Sequence, residues 1–421
     1  MEVVHERCCG LDVHKRTVVA CVLRPGEGGV VTPEPETFST MLGELERLAG
    51  WLAERGVTHV AMEATGVYWK AVYNVLEGAD RFTVLVVNPE HVKAITGRKT
   101  DRADAERLAF LLRHDLLSGS FIPAREQREL RELTRARTAL VRERARVVQR
   151  LEKVLEGANI KLAAVVTELL GASGQAMLDA ALQGVTDPEE LAGLAKGRLR
   201  PKRDLLAQAL AGRLTRPLRF LAQQHLDHWR ELDARLAAFD AEIAELLRPF
   251  DHLVARLDAI PGVGRRTAEI ILSEIGTTVA AFPSERHLAA WAGLSPGNRQ
   301  SGGRRKAART RHGNPWLKAA LTEAAWAATR CKHGYLAAQY RRLAPRRGRK
   351  RAIVAVAHSL STSIYFMLLH DIPFSDLGGD YFDQRDRDRR EQRALATLRT
   401  LGYDVTLTPH PAPPTPAPEA A

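Results

Sequence analysis

The chain is poor in the features that mark secreted or membrane proteins. It carries only four cysteines in 421 residues, Cys8, Cys9, Cys21 and Cys331, with no CxxC pair among them. That excludes a disulfide framework and offers no zinc or redox motif. Cys8, Cys9 and Cys21 fall on apolar, strand-like sequence and read as buried free thiols. No stretch approaches the roughly 18 uninterrupted apolar residues of a membrane span. The opening MEVVHERCCGLDVHK is charged and lacks the apolar core of a signal peptide, so a cytoplasmic location is expected.

Acids are scarce in one place. Between Pro296 and Arg351 the single acid is Glu323, against Arg299, Arg304, Arg305, Lys306, Arg309, Arg311, Lys318, Arg330, Lys332, Arg341, Arg342, Arg346, Arg347, Arg349, Lys350 and Arg351. A folded surface with that imbalance repels itself unless phosphates neutralise it. Together with a net charge of +12, it points to a polyanionic partner.

At this length one hydrophobic core is insufficient, and two or three domains are expected. The first 120 residues alternate strand and helix, implying an α/β sheet covered by helices. CCGLDVHKRTVVACVLR reads as paired strands, with Gly10 and His14-Lys15-Arg16 as turn residues. Leu42–Leu52 and Val67–Leu76 have helical spacing, His59–Met62 and Phe82–Val87 read as buried strands, and Asp101–Leu117 as an amphipathic helix. Further on, Leu133, Leu140, Val147 and Val154 recur every seven residues. Trp229, Leu232, Leu236, Phe239, Ile243 and Leu246 alternate steps of three and four. These are heptad patterns for two long coiled-coil helices, pairing with each other or with another subunit. Residues 157–217 read as shorter helices and turns, and the chain from Leu253 to about Met367 as helices punctuated by Gly and Pro. HPAPPTPAPEAA cannot bury a core and reads as a disordered tail. The expected domains are 1–122 (catalytic), 123–250 (coiled coil and helices), 251–375 (C-terminal helical domain) and 376–421 (charged segment and tail).

Four carboxylates stand out. Asp12 lies within a strand, where an acid disfavours the ladder and is costly if buried without a partner. Glu63 ends a second apolar strand. Asp101 and Asp104, three apart at a helix start, share one face, with Thr100 placed to cap the helix. Singly, each has a plain alternative: first-turn aspartates cap helices, a strand-end glutamate is commonly exposed, and Asp12 could pair with Lys15 or Arg16. Together they would repel one another unless a cation held them, and hard oxygen donors favour Mg2+ or Mn2+.

Two C-terminal motifs add to this. Ile260-Pro-Gly-Val-Gly264 before a helical run looks like half of a helix-hairpin-helix element, in which Gly262, Gly264 and Arg265 would face a phosphate; a tight turn with no ligand is the alternative. In Ala292-Gly-Leu-Ser-Pro-Gly-Asn-Arg-Gln-Ser-Gly-Gly-Arg-Arg-Lys306, glycines expose the Ser301 hydroxyl among Arg299, Arg304, Arg305, Lys306, Arg309 and Arg311. By chemistry alone this is a phosphate-binding loop, because no neighbouring histidine could serve as a base for Ser301.

The order Asp12, Glu63, Asp101, Asp104, set in GLDVHK, EATGVYW, VVNP and KTDRADA, resembles the DEDD transposases of the IS110 insertion-sequence family, from about residue 8 to about residue 370. The resemblance implies an RNase H-like (RuvC-like) N-terminal domain, coiled-coil helices and a helical C-terminal transposase domain. It implies catalysis by Asp12, Glu63, Asp101 and Asp104 with bound metal, Ser301 rather than Ser295 as a nucleophile joined covalently to DNA, and a helix cap at Asn314. It further implies double-stranded DNA as substrate, a structured guide RNA, a dimer or dimer of dimers with a site shared between subunits, and a bacterial, nucleoid-associated location. Two alternatives stand beside it: a metal-dependent, structure-specific nuclease using water, and an inactive nucleic-acid-binding protein.

Overall fold

The computed structural model describes residues 2–26, 30–89, 101–297, 300–301, 303–305, 310 and 312–406; the side chains of Asp101, Gln300, Ser301, Arg304, Arg305 and 388–390 are outside the description. Thr100, Arg299, Lys306, Arg309, Arg311 and the Pro/Ala tail also lie outside the described residues. The chain divides into two compact units, Met1–Glu126 and Gln127–Ala421.

The first unit is built on strands β1 (Cys8–Val13), β2 (Thr17–Leu23), β3 (Glu34–Ser39), β4 (His59–Glu63) and β5 (Thr83–Val87), in the order β3-β2-β1-β4-β5. β1, β2 and β3 form an antiparallel meander, and β4 and β5 run parallel to β1. That order, three antiparallel strands followed by two parallel ones, is the RNase H-like arrangement. Helices α1 (Leu42–Glu54) and α2 (Trp69–Gly78) bury Leu45, Leu48, Leu52, Val72 and Leu76 on one face of the sheet, against Cys9, Leu11, Val13, Val60 and Met62. Helix α3 (Asp101–Arg113) covers the other face, with Ala109 and Leu112 against Cys8 and Ala61.

His14-Lys15-Arg16 does form the β1–β2 turn, but Gly10 belongs to the middle of β1. Its role is to admit α3. A Cβ on Gly10 would stand 2.1 Å from the Ala105 carbonyl oxygen and 2.4 Å from the Ala109 nitrogen. β3, EPETFS, was not anticipated: Pro35 cannot donate to a ladder and is tolerated here because β3 is an edge strand.

The second unit opens with α4 (Arg125–Gly157), of which Gln127 onward belongs to it. A set of shorter helices follows, α5 (Leu162–Val165), α6 (Ala172–Gln183), α7 (Pro188–Gly193) and α8 (Arg203–Leu210), and then α9 (Arg216–Leu247). The two heptad helices pair within the chain. Arg137 binds Asp240, Arg144 binds Asp233 and His228 faces Glu143, so α4 and α9 run antiparallel. The apolar seam is closed by Val147, Leu151 and Leu155 with Leu226, Leu232 and Leu236, whereas Leu133 and Leu140 are half-buried. At its end the α9 seam steps from Ile243 to the buried Leu247, leaving Leu246 exposed. The shorter helices close over the opposite end of the hairpin, where Met177, Leu178, Leu206 and Leu210 share a core with Leu151 and Leu155 of α4 and Ala222 and Leu226 of α9.

The remaining helices are α10 (Asp251–Asp258), α11 (Arg265–Ile275), α12 (Glu285–Trp291), α13 (Pro315–Ala328), α14 (Tyr335–Arg347), α15 (Arg349–His370), α16 (Tyr381–Arg385) and α17 (Arg387–Thr400). By length and mean hydropathy α15 could cross a membrane, but half of that stretch is buried in the protein. Its Ala352, Ile353, Val356, Leu360 and Ile364 are core residues, as expected of the central helix of a bundle. The segment after it docks back onto α14. Asp376 Oδ1 accepts from the Tyr335 amide at 2.8 Å, Tyr335 stacks on Phe382, and Arg342 pairs with Asp386 at 2.7 Å.

Candidate active site

Strand alternation and the parallel β1–β4 register decide where the carboxylates go. Residues 8, 10 and 12 of β1 face α3: the Cys8 thiol donates to the Ala109 carbonyl, and Gly10 touches Ala105 and Ala109. Proceeding from Cys8 to Gly10 along β1 therefore runs backward along α3, so Asp12 comes next to the first turn of α3, which carries Asp101 and Asp104. On β4, Ala61 packs on the same side and Glu63 follows two residues later. Leu11 pairs with Met62 in the parallel ladder, so the next position on each strand is Asp12 and Glu63. The two acids thus share one face at the carboxyl ends of adjacent strands, beneath the amino end of α3.

Asp12 is half-buried and accepts a hydrogen bond from His14 Nε2 at 3.1 Å. His14, rather than Lys15 or Arg16, is the neighbour that engages it. The Glu63 backbone is held against β5: Glu63 is in register with Val87, and the Ala64 amide donates to the Val87 carbonyl at 2.9 Å. Among the described residues no three His, Cys, Asp or Glu side chains stand close enough to share one ion. The donor set itself, all carboxylate oxygen, suits a hard divalent cation.

In the second unit Ser301 lies at the tip of a short hairpin, β6 (Gln300–Ser301) against β7 (Arg304–Arg305), with Ser301 paired to Arg304. Gly303 turns the hairpin at φ +74°, a conformation that favours glycine. The excursion is pinched at its base. Pro296 bridges to Thr310, the Asn314 amide donates to the Trp291 carbonyl at 2.8 Å, and a Cβ on Gly313 would stand 2.4 Å from the Gly293 nitrogen. Lys318 Nζ donates to Thr310 Oγ1 at 2.9 Å.

Asn314 caps α13 as expected, its Oδ1 accepting from the Trp316 and Leu317 amides, both at 3.0 Å. It also does something the sequence did not announce. Its Nδ2 donates to Glu274 Oε2 at 2.6 Å, and Glu274, fully buried, accepts both bonds of the Arg135 fork at 2.7 and 2.8 Å. Arg131 completes the cluster through the Ser273 and Glu274 carbonyls, with its guanidinium over the Trp291 ring. Burial pulls the Arg131 guanidinium down to about 10, against the upward pull of the Glu274 carboxylate. This network ties α4, α11 and the start of α13 together at the foot of the Ser301 hairpin. No local signal could have revealed it, since each partner looks like a surface charge on its own helix.

The helix-hairpin-helix resemblance corresponds to α10 and α11 joined through Pro261-Gly262. Gly262 takes φ +90°, and a Cβ there would stand 2.3 Å from the Ala324 carbonyl oxygen, so this glycine lets the turn press on α13. Gly264 is exposed at the start of α11 and meets nothing. Arg265 is engaged by Asp251 at 2.7 Å and by Glu269 at 3.2 Å.

An RNase H-like sheet with acids at the ends of its central strands defines the class of the first unit. The comparisons give the family. A DEDD transposase model of the IS110 type matches residues 9–160, and the model described as transposase IS116/IS110/IS902 family matches residues 254–341. The chain belongs to the IS110 family of transposases. It is 28% identical over 376 residues to the putative transposase y4rJ of Sinorhizobium fredii, covering 84% of this chain and 90% of that one. It is 27% identical over 276 residues to a probable family 20 transposase of Pseudomonas aeruginosa, covering 65% and 71%. Among solved structures, the RuvC structure of Thermus thermophilus aligns with a TM-score of 0.22 at 16% identity, covering 27% of this chain and 99% of that one.

Proposed function

We propose that the chain cuts and rejoins DNA strands as the recombinase of an insertion sequence, with Asp12, Glu63, Asp101 and Asp104 holding divalent metal and Ser301 as nucleophile. The observation that carries the metal half is the common position of Asp12 and Glu63 on adjacent parallel strands, on the face covered by α3. Magnesium or manganese bound there would neutralise phosphate charge and favour attack and departure of oxygens at phosphorus. Four acids without a cation would disfavour their own ionisation.

In the reaction, the Ser301 oxygen forms a bond to the scissile phosphorus, its proton passes to solvent or a base, and the strand's leaving oxygen departs. A hydroxyl of the second strand then attacks the same phosphorus, and Ser301 is released. The number of phosphodiester bonds is conserved, so no external energy source is required. Arg299, Arg304, Arg305, Lys306, Arg309 and Arg311 would neutralise the phosphate around Ser301, and Gly264 at the exposed start of α11 would approach the backbone of the duplex. Metal from one subunit and Ser301 from another would make the complete site in a dimer or dimer of dimers, with a structured RNA directing it to its target.

The test is strand cleavage of duplex DNA carrying the element's ends, with and without Mg2+, in the presence of the copurified RNA. The expected result is metal-dependent cleavage that Asp12→Asn and Glu63→Gln abolish while DNA binding persists. Cleavage unchanged in both variants would overturn the assignment. Products that are hydrolysed and never joined would favour a water-using nuclease instead.

A further inference from the structure

Many of the arginines in the second unit are held by acids. Arg135 pairs with Glu274, Arg137 with Asp240, Arg144 with Asp233, Arg230 with Asp179, and Arg266 with Glu269. The corner between α14 and α15 is different. Arg346, Arg347, Arg349, Lys350 and Arg351 are all exposed, and among the described residues none has a carboxylate within ion-pair distance. No acid occurs in the sequence anywhere from Ala324 to His370.

The placement of these charges argues against a purely structural role. Arg346 and Arg347 close α14, where cations suit the helix dipole. Arg349, Lys350 and Arg351 form the first turn of α15, a 22-residue helix whose first turn has no acid and whose N-cap, Gly348, offers no side-chain acceptor. Three cations there oppose the dipole, so the bare corner is electrostatically unfavourable. The scaffold beneath is rigid: Ala352, Ile353 and Val356 enter the core immediately after Arg351, and Gly348 at φ +81° fixes the bend between the helices.

We infer that the α14–α15 corner is a docking surface for the phosphate backbone of duplex DNA, separate from the Ser301 hairpin and the α11 start. Single-stranded nucleic acid is bound through aromatic side chains on which bases stack. From Arg341 to Ile364 there is no Phe, Tyr or Trp, and the one histidine, His358, is half-buried, so the corner is equipped to hold a paired backbone, without reading sequence. The inference rests on the DNA-processing function proposed above.

The test uses the full-length protein with Arg346, Arg347, Arg349, Lys350 and Arg351 all replaced by Gln. Binding of an arbitrary-sequence DNA duplex is followed by fluorescence anisotropy across a salt series. Each lost phosphate contact makes the log K against log salt slope shallower by about 0.9. The expected changes are a slope shallower by about 4.5 units, at least a tenfold weaker Kd at low salt, and an unfolding temperature equal to or above that of the parent. Rising stability with falling affinity is what a binding surface produces and a structural cluster does not. The double variant Arg349→Gln, Arg351→Gln should lose about 2 units of slope and covers the case in which the fivefold variant does not fold. Unchanged slopes in a parent that binds DNA would overturn this inference alone, as would a loss confined to duplex RNA. A parent that binds no duplex DNA would overturn the proposed function itself.

Discussion

Asn314 Nδ2 donates to Glu274 Oε2 at 2.6 Å, joining the cap of α13 to a fully buried carboxylate on α11. Because Arg135 grips the same carboxylate with both arms of its fork, the foot of the Ser301 hairpin is fixed by charge as well as by packing. Removing one member of a buried ion pair leaves the other uncompensated, at a cost of about 3–5 kcal/mol. Glu274→Ala is therefore expected to destabilise the second unit by that amount. Asn314→Ala, which loses a cap and one bond, should cost about 1–2 kcal/mol. Chemical denaturation compares the two, and the expected order is Glu274→Ala well below Asn314→Ala in stability.

Gly10 gives a sharp steric prediction in the first unit. Its missing Cβ would collide with backbone atoms of α3, Ala105 oxygen at 2.1 Å and Ala109 nitrogen at 2.4 Å, which cannot rotate away. Gly10→Ala should cost about 1–3 kcal/mol and displace the helix carrying Asp104, lowering cleavage activity as well. Gly50, in α1, meets nothing within 4 Å, so Gly50→Ala should raise stability by up to about 1 kcal/mol. Thermal melts of both variants measure these opposite signs.

The thiols differ in environment. Burial pushes Cys8 up to about 11 and Cys21 up to about 12, and Cys9 well above its ordinary value. Thiolate is the reactive form, so at pH 8 these three should resist alkylation while exposed Cys331 reacts. Raising the pH toward the shifted values should recruit Cys8 before Cys21. Mass spectrometry should find one labelled cysteine in the native protein at pH 8 and four after denaturation.

Much of the fold was legible because periodicity is a local property. The two-sided apolar strand CCGLDV, the apolar run ending at Glu63 and the heptads of α4 and α9 each state their own element. β3 was not legible, because EPETFS is polar, contains proline and becomes a strand only by joining an edge. The choice between pairing partners for α4 was equally closed to sequence, since heptads specify a seam and not its occupant; Arg137–Asp240 and Arg144–Asp233 identify it. Candidate acids Asp12 and Glu63 could be named from their strands, but their shared face required the β1–β4 register. Glu274 was invisible for the opposite reason: an acid in a helix reads as solvated until distant arginines are folded around it.

The central claim, that Ser301 joins DNA as part of strand exchange, is tested most directly by trapping the covalent species. The protein, with any RNA that copurifies, is incubated with Mg2+ and a nicked, end-labelled duplex whose cleaved strand diffuses away, then denatured and resolved by gel. The account predicts a labelled protein–DNA adduct whose peptide maps to Ser301, absent in Ser301→Ala and in Asp12→Asn. An adduct that survives Ser301→Ala, or cleavage in the parent with no adduct at all, would contradict it.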